Sequence, residues 1–179
     1  MIAEIMNKGK WESNNSEDEL TGNFFGNLRY LPFNKGFKPI FKNCIGFHGF
    51  KEALDRINAE EWAGNINFWR RVKEGEPDVL LEFNNVMILI EVKYNSDLSS
   101  PNQLEKYQDL LNNLASEREK IMVLLAREGD ARYIYDKFLE TNTNSSVHFG
   151  YITWQKVLDA LNDISNLNSF ENIIVFLTT

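Results

Sequence analysis

The chain has 179 residues, 43% of them hydrophobic and 25% charged, which gives one domain enough apolar content for a buried core and excludes a mostly disordered protein. Cys44 is the only cysteine, so no intrachain disulfide can form. With no apolar run near a membrane span and no signal-like start, the expectation is a soluble cytoplasmic protein without a membrane partner. The net charge of −7 argues against coating nucleic acid by charge alone. Yet Thr21 to Lys51 contains no acid and carries Arg29, Lys35, Lys38, Lys42 and Lys51. Two readings of that stretch stand: local docking of a polyanion through Lys35, Lys38 and Lys42, or solubilisation of a Phe-rich segment.

Residues 1–15 read as a loosely ordered tail. Ser16 with Glu19 forms a capping box, and Leu20, Phe24, Phe25, Leu28 and Leu31 follow at helical spacing until Pro32. Asn34 to Gly49 reads as loop, and Phe50 to Ile57 as a short helix. Ile66 to Val72 reads as a strand, with Lys73-Glu-Gly-Glu as its turn. Val79 to Phe83 and Val86 to Lys93 are the clearest strands, joined by Asn84-Asn85, a pair suited to a tight hairpin. The second is apolar on both faces and so central in its sheet. Ser100-Pro101 opens a helix, with the proline at its first position and a stripe of Leu104, Tyr107, Leu110, Leu111 and Leu114. Then come a strand at Ile121 to Ala126, a helix at Ala131 to Glu140, a strand at Val147 to Ile152, and a helix from a Thr153 cap to about Ile164. This order predicts an α/β fold, a small mixed sheet flanked by helices, in one domain over 1–179.

The hairpin carries the chemistry. With Asn84 and Asn85 as loop residues, Phe83 faces Val86, and stepping back along both strands sets Asp78 opposite Glu91. Like charges so placed repel, and a bound cation turns the repulsion into a ligand set. Lys93, two residues past Glu91, points to the same face. On the first helix Glu17 falls within the apolar stripe and points inward, either as a helix-dipole partner or as a third site carboxylate. Carboxylates without imidazole or thiolate partners suit a hard ion, Mg²⁺ or Mn²⁺, able to activate water and neutralise a phosphodiester.

Pro77-Asp78 followed by Glu91-Val92-Lys93 resembles the signature of the PD-(D/E)XK nuclease superfamily. Ser16-Glu-Asp-Glu-Leu-Thr21 is similar to the acidic first-helix motif of its prokaryotic members, and Gln103-Leu-Glu-Lys-Tyr107 to the Gln-x-x-x-Tyr helix of its RecB-like branch. The resemblance runs from about Ser16 to Tyr107. It implies a restriction-endonuclease-like αβββαβ core, dependence on a divalent metal and a DNA substrate. It further implies that Asp78 and Glu91 ligate metal with help from the Val92 carbonyl, that Lys93 serves the attacking water, and that Glu17 assists directly or through water. Gln103 and Tyr107 have a structural alternative each: Ser100 and Gln103 form a capping box, and Tyr107 fits a core aromatic.

Other signals are weak. Cys44 and His48 have ligand-like spacing, but only His148 remains as a further nitrogen or sulfur donor, too few for a structural zinc. Arg70 and Arg71 alternate across a strand, so one at most faces phosphate, and Trp62, Trp69 and Trp154 read as core. The function expected is divalent-metal-dependent hydrolysis of DNA. The alternative is a catalytically inactive nuclease-fold module for nucleic-acid binding or protein assembly. A homodimer or larger nuclease complex is compatible with cutting both strands.

Overall fold

The computed structural model describes residues 16–167 apart from 47–48, 59, 61, 95–97, 99, 101, 116 and 143–144. The expected tail, His48 and Pro101 lie outside them. Helix α1 (Ser16–Leu28) is followed by two short helices, α2 (Phe37–Phe41) and α3 (Phe50–Asp55). Strands β1 (Ile66–Phe68), β2 (Val79–Glu82) and β3 (Val86–Val92) come next, then α4 (Gln103–Leu114), β4 (Glu119–Ala126), α5 (Glu128–Thr141), β5 (His148–Thr153) and α6 (Trp154–Leu167).

The five strands form one mixed sheet in the order β1-β2-β3-β4-β5, antiparallel across the first two pairings and parallel across the last two. β3 is therefore central, and every residue along it is buried. The β2–β3 register pairs Val79 with Ile90 and Leu80 with Leu89, and Phe83 N–H donates to Val86 O at 2.9 Å, which is the two-residue Asn84-Asn85 hairpin. β5 is not left as a bare edge. Ile45, in the loop after α2, exchanges two backbone hydrogen bonds with Tyr151, at 2.7 and 2.8 Å. Gly150 makes this approach possible, since a Cβ there would lie 2.8 Å from Ile45 O.

Strand alternation sorts the core into two layers. Val79, Leu81, Ile88 and Ile90 pack with Phe24, Phe25 and Leu28 of α1, with α2 and α3, and with Val157 and Leu161 of α6. Leu80, Met87 and Leu89 pack on the other face against Leu104, Tyr107, Leu110 and Leu111 of α4 and Ala131 and Phe138 of α5.

Several expectations are corrected. The segment expected as loop holds α2, whose Phe37, Ile40 and Phe41 are fully buried; Phe37 and Phe41 stack at 4.1 Å between ring centroids. α1 ends at Leu28 rather than Leu31, because Leu31 N–H bonds back to Leu28 O in a tight turn before Pro32. The first strand stops at Phe68, its third residue, because Trp69 adopts φ +45° and breaks the extended backbone. Helix α4 begins at Gln103 with Asn102 as N-cap, so Ser100 does not cap it. Thr153 does cap α6, its Oγ1 accepting from Lys156 N–H at 3.3 Å.

Candidate active site

The two layers meet at the C-terminal end of β3. Extending the β2–β3 register by one rung sets Asp78 against Glu91, on the face that also carries Leu80, Leu89 and α4. The β2–β3 backbone pairs end one rung earlier, at Val79 and Ile90. The Asp78 side chain continues the contact, its Oδ2 accepting from Val92 N–H at 2.8 Å. Asp78, Glu91 and Lys93 are all buried, Glu91 to 2% exposure.

Lys93 is the counter-ion of this cluster. Its Nζ lies 2.8 Å from Glu91 Oε1 and 3.1 Å from Glu17 Oε1. Glu17 comes from the first turn of α1, on the opposite layer, and its Oε2 also accepts from Tyr94 N–H at 2.8 Å. Gln103, at the start of α4, donates its amide to Glu91 Oε1 at 2.8 Å and to the Tyr107 hydroxyl at 3.0 Å. Tyr107 in turn donates to Glu76 O at 3.1 Å. The Gln103 side chain is thus turned inward to Glu91, not back to Ser100 as a capping box requires. Asp78, Glu91, Lys93, Glu17, Gln103 and Tyr107 are brought into one cluster by elements up to 90 positions apart.

Three carboxylates surround one ammonium, so charge is under-compensated. Burial pushes the Glu91 carboxyl above its ordinary range, with Lys93 pulling it back only in part. Burial also works against the Lys93 ammonium, but Glu91, Asp78 and Glu17 outweigh it and hold its pKa above the usual lysine range. Lys93 therefore stays protonated at neutral pH. Burial, followed by the negative charge of Glu91, raises the Tyr107 hydroxyl, which remains a neutral donor.

Glu91 Oε2 is buried without a hydrogen-bond partner. An unmet carboxylate oxygen is a position a cation could fill, and the side chains of Asp78, Glu91 and Glu17 offer only oxygen, which suits Mg²⁺ or Mn²⁺. Among the described residues, no three His, Cys, Asp or Glu side chains are already closed into a metal-holding group. The described helices include none long and apolar enough to cross a membrane.

Of the three lysines read as able to dock a polyanion, Lys38 lies away from the carboxylates. Lys38 pairs with Asp55 at 2.7 Å. The neighbouring Arg56 pairs with Glu119, and its carbonyl accepts from Asn85 at 3.0 Å, so this contact belongs to the hairpin-turn end of β3. Val86, which pairs with Glu119, is five residues from Glu91, about 17 Å along the strand. Lys35 and Lys42 are exposed. Arg70 and Arg71 are taken up by Glu82 and Glu76 respectively.

Trp154, read as core, packs against the core and also reaches the site. Trp154 donates Nε1–H to Lys93 O at 3.2 Å and packs edge-on against Phe24 and Tyr94. Its position directly after a strand, at the cap of a helix, is the signal that could have placed it there. Comparison with known families, curated proteins and solved structures finds no match to the chain.

Proposed function

We propose that the chain is a divalent-metal-dependent nuclease that hydrolyses phosphodiester bonds of DNA, on a restriction-endonuclease-like core. The observation that carries the reading is the buried face of Asp78, Glu91 and Lys93, with one Glu91 oxygen left without a donor. The order of helices, three strands, helix and strand, with Asp78 immediately before the second strand and Glu91 on the third, supports it.

Asp78 and Glu91 would hold Mg²⁺ or Mn²⁺, with the Val92 carbonyl, and with Glu17 directly or through water. The bound ion would supply an acidified water and neutralise charge on the phosphodiester. Lys93 keeps its proton and donates hydrogen bonds to the attacking water and to the phosphoryl oxygens as charge builds on them. Gln103 fixes Glu91 by occupying Oε1, which would leave Oε2 for the ion. Tyr107 holds Gln103, and Trp154 holds the backbone at Lys93.

The second reading, a nuclease-fold module without catalysis, is favoured by Lys93 already being paired to both Glu91 and Glu17. Nicking of supercoiled plasmid in Mg²⁺ or Mn²⁺ separates the two. The nuclease reading expects activity in the wild type and a loss of about 100-fold or more in Glu91→Ala and Lys93→Ala. Metal binding without nicking would establish the module instead.

A further inference from the structure

Tyr94 follows Lys93 directly, two residues past the end of a wholly buried strand, and is itself 41% exposed. Its surroundings hold it in place. The Tyr94 amide donates to Glu17 Oε2 at 2.8 Å. Its ring meets Trp154 edge-on at 6.4 Å between centroids, and Trp154 meets Phe24 of α1 in the same way at 5.5 Å. Trp154 is anchored in turn by its hydrogen bond to Lys93 O. A ring so fixed, yet open to water, has surface to offer a ligand and little conformational freedom left to lose on binding it.

The ring and the carboxylate cluster share one rim. The Glu17 carboxylate that accepts from the Tyr94 amide also accepts at Oε1 from Lys93 Nζ, 3.1 Å away, so a single carboxylate separates the two residues. Glu17 is also where the cluster is most open: its side chain is 23% exposed, against 7% for Lys93 and 2% for Glu91. A phosphodiester reaching the cluster from the Glu17 side therefore passes beside Tyr94.

An aromatic surface beside a phosphate path suits a nucleobase, whose face stacks on it whatever the base. Within a duplex both faces of a base are covered by its neighbours, so only an unpaired base can lie on the ring. We propose that Tyr94 is the stacking platform for an unpaired base next to the scissile phosphodiester, which makes single-stranded DNA, or a single-stranded stretch beside a duplex, the substrate of this site. The link to cleavage rests on the nuclease reading above; the stacking is testable without it.

The test is equilibrium binding of two fluorescein-labelled single-stranded hexamers in EDTA, so that nothing is cut: one all-thymidine, the other with the same phosphates but abasic throughout. Wild type is expected to bind the thymidine strand about tenfold more tightly. Tyr94→Leu keeps an apolar side chain beside Trp154 but has no aromatic face, and should bind both strands equally, at the abasic level. Tyr94→Phe should keep the full preference, and Tyr133→Ala, on α5 and more exposed still, should leave it unchanged. If Tyr94→Leu fails to fold, Tyr94→Trp carries the test, its larger face strengthening the preference. Equal binding of both strands by wild type, binding of neither, or a preference that survives Tyr94→Leu overturns the platform. A preference in a protein that never nicks plasmid keeps the platform and removes the nuclease reading. Nicking without the preference does the reverse.

Discussion

The Lys93 ammonium lies 2.8 Å from Glu91 Oε1, and both side chains are nearly sealed from solvent. Removing one member of such a pair leaves the other buried with its charge unmet. Lys93→Met is therefore expected to destabilise the fold by about 3 kcal/mol near neutral pH. The pH dependence has a definite sign. The Glu91 pKa is already raised in the folded state, and the substitution raises it further. Its contribution is then retained below the ordinary carboxyl range and lost as pH rises through the folded-state pKa. Urea denaturation should find the variant nearest to wild type at pH 5 and furthest from it at pH 8. An equal deficit at both values would show that the lost stability is packing rather than charge.

Metal should act through linkage. With Asp78, Glu91 and Glu17 sharing a single ammonium, Mg²⁺ or Mn²⁺ relieves repulsion in the folded state only. At ten times the dissociation constant the gain is about 1.4 kcal/mol, or about 3–6 °C in Tm for a chain of this size. Asp78→Ala and Glu91→Ala should each abolish the rise in a thermal melt.

Gln103 acts on Glu91 rather than on substrate. Gln103→Leu is expected to cost about 1 kcal/mol of stability. It should also weaken Mn²⁺ affinity about tenfold, read from the metal dependence of Tm. Gln108→Leu, on the same helix but bonded to Ser145, should leave the affinity unchanged. Equal effects from both would reduce Gln103 to a helix-packing residue.

The lysines of the basic segment should not behave alike. Lys38 is engaged with Asp55 at the hairpin-turn end, whereas Lys35 and Lys42 are exposed. Lys35→Ala with Lys42→Ala should flatten the salt dependence of nucleic-acid binding by up to about two in log–log slope. Adding Lys38→Ala should change it no further.

The sequence makes the hairpin legible because two cues agree there: an Asn-Asn turn and an apolar run on either side of it. The hairpin register alone places Asp78, Glu91 and Lys93 on one face. Phe37–Phe41 is not legible, since one turn of helix beside Gly36 and containing Pro39 carries too little periodicity to stand out from a loop. The end of β1 depends on the left-handed backbone at Trp69, which no residue preference announces. The inward turn of Gln103 is a choice between two partners, the Ser100 side of a cap and a buried carboxylate, and burial decides it. The remoteness of Lys38 follows from Asp55, a partner 17 positions later that charge counting along the chain passes over.

The hydrogen bond from Tyr94 N–H to Glu17 Oε2 spans 77 positions and joins the end of the central strand to the first helix. Its donor belongs to Tyr94, which is 41% exposed and lies two residues past the end of β3. Deuterium uptake at Tyr94 thus reads the docking of α1 directly, separately from global unfolding. Glu17→Gln should quicken uptake there while amides in the middle of β3 keep their slow exchange.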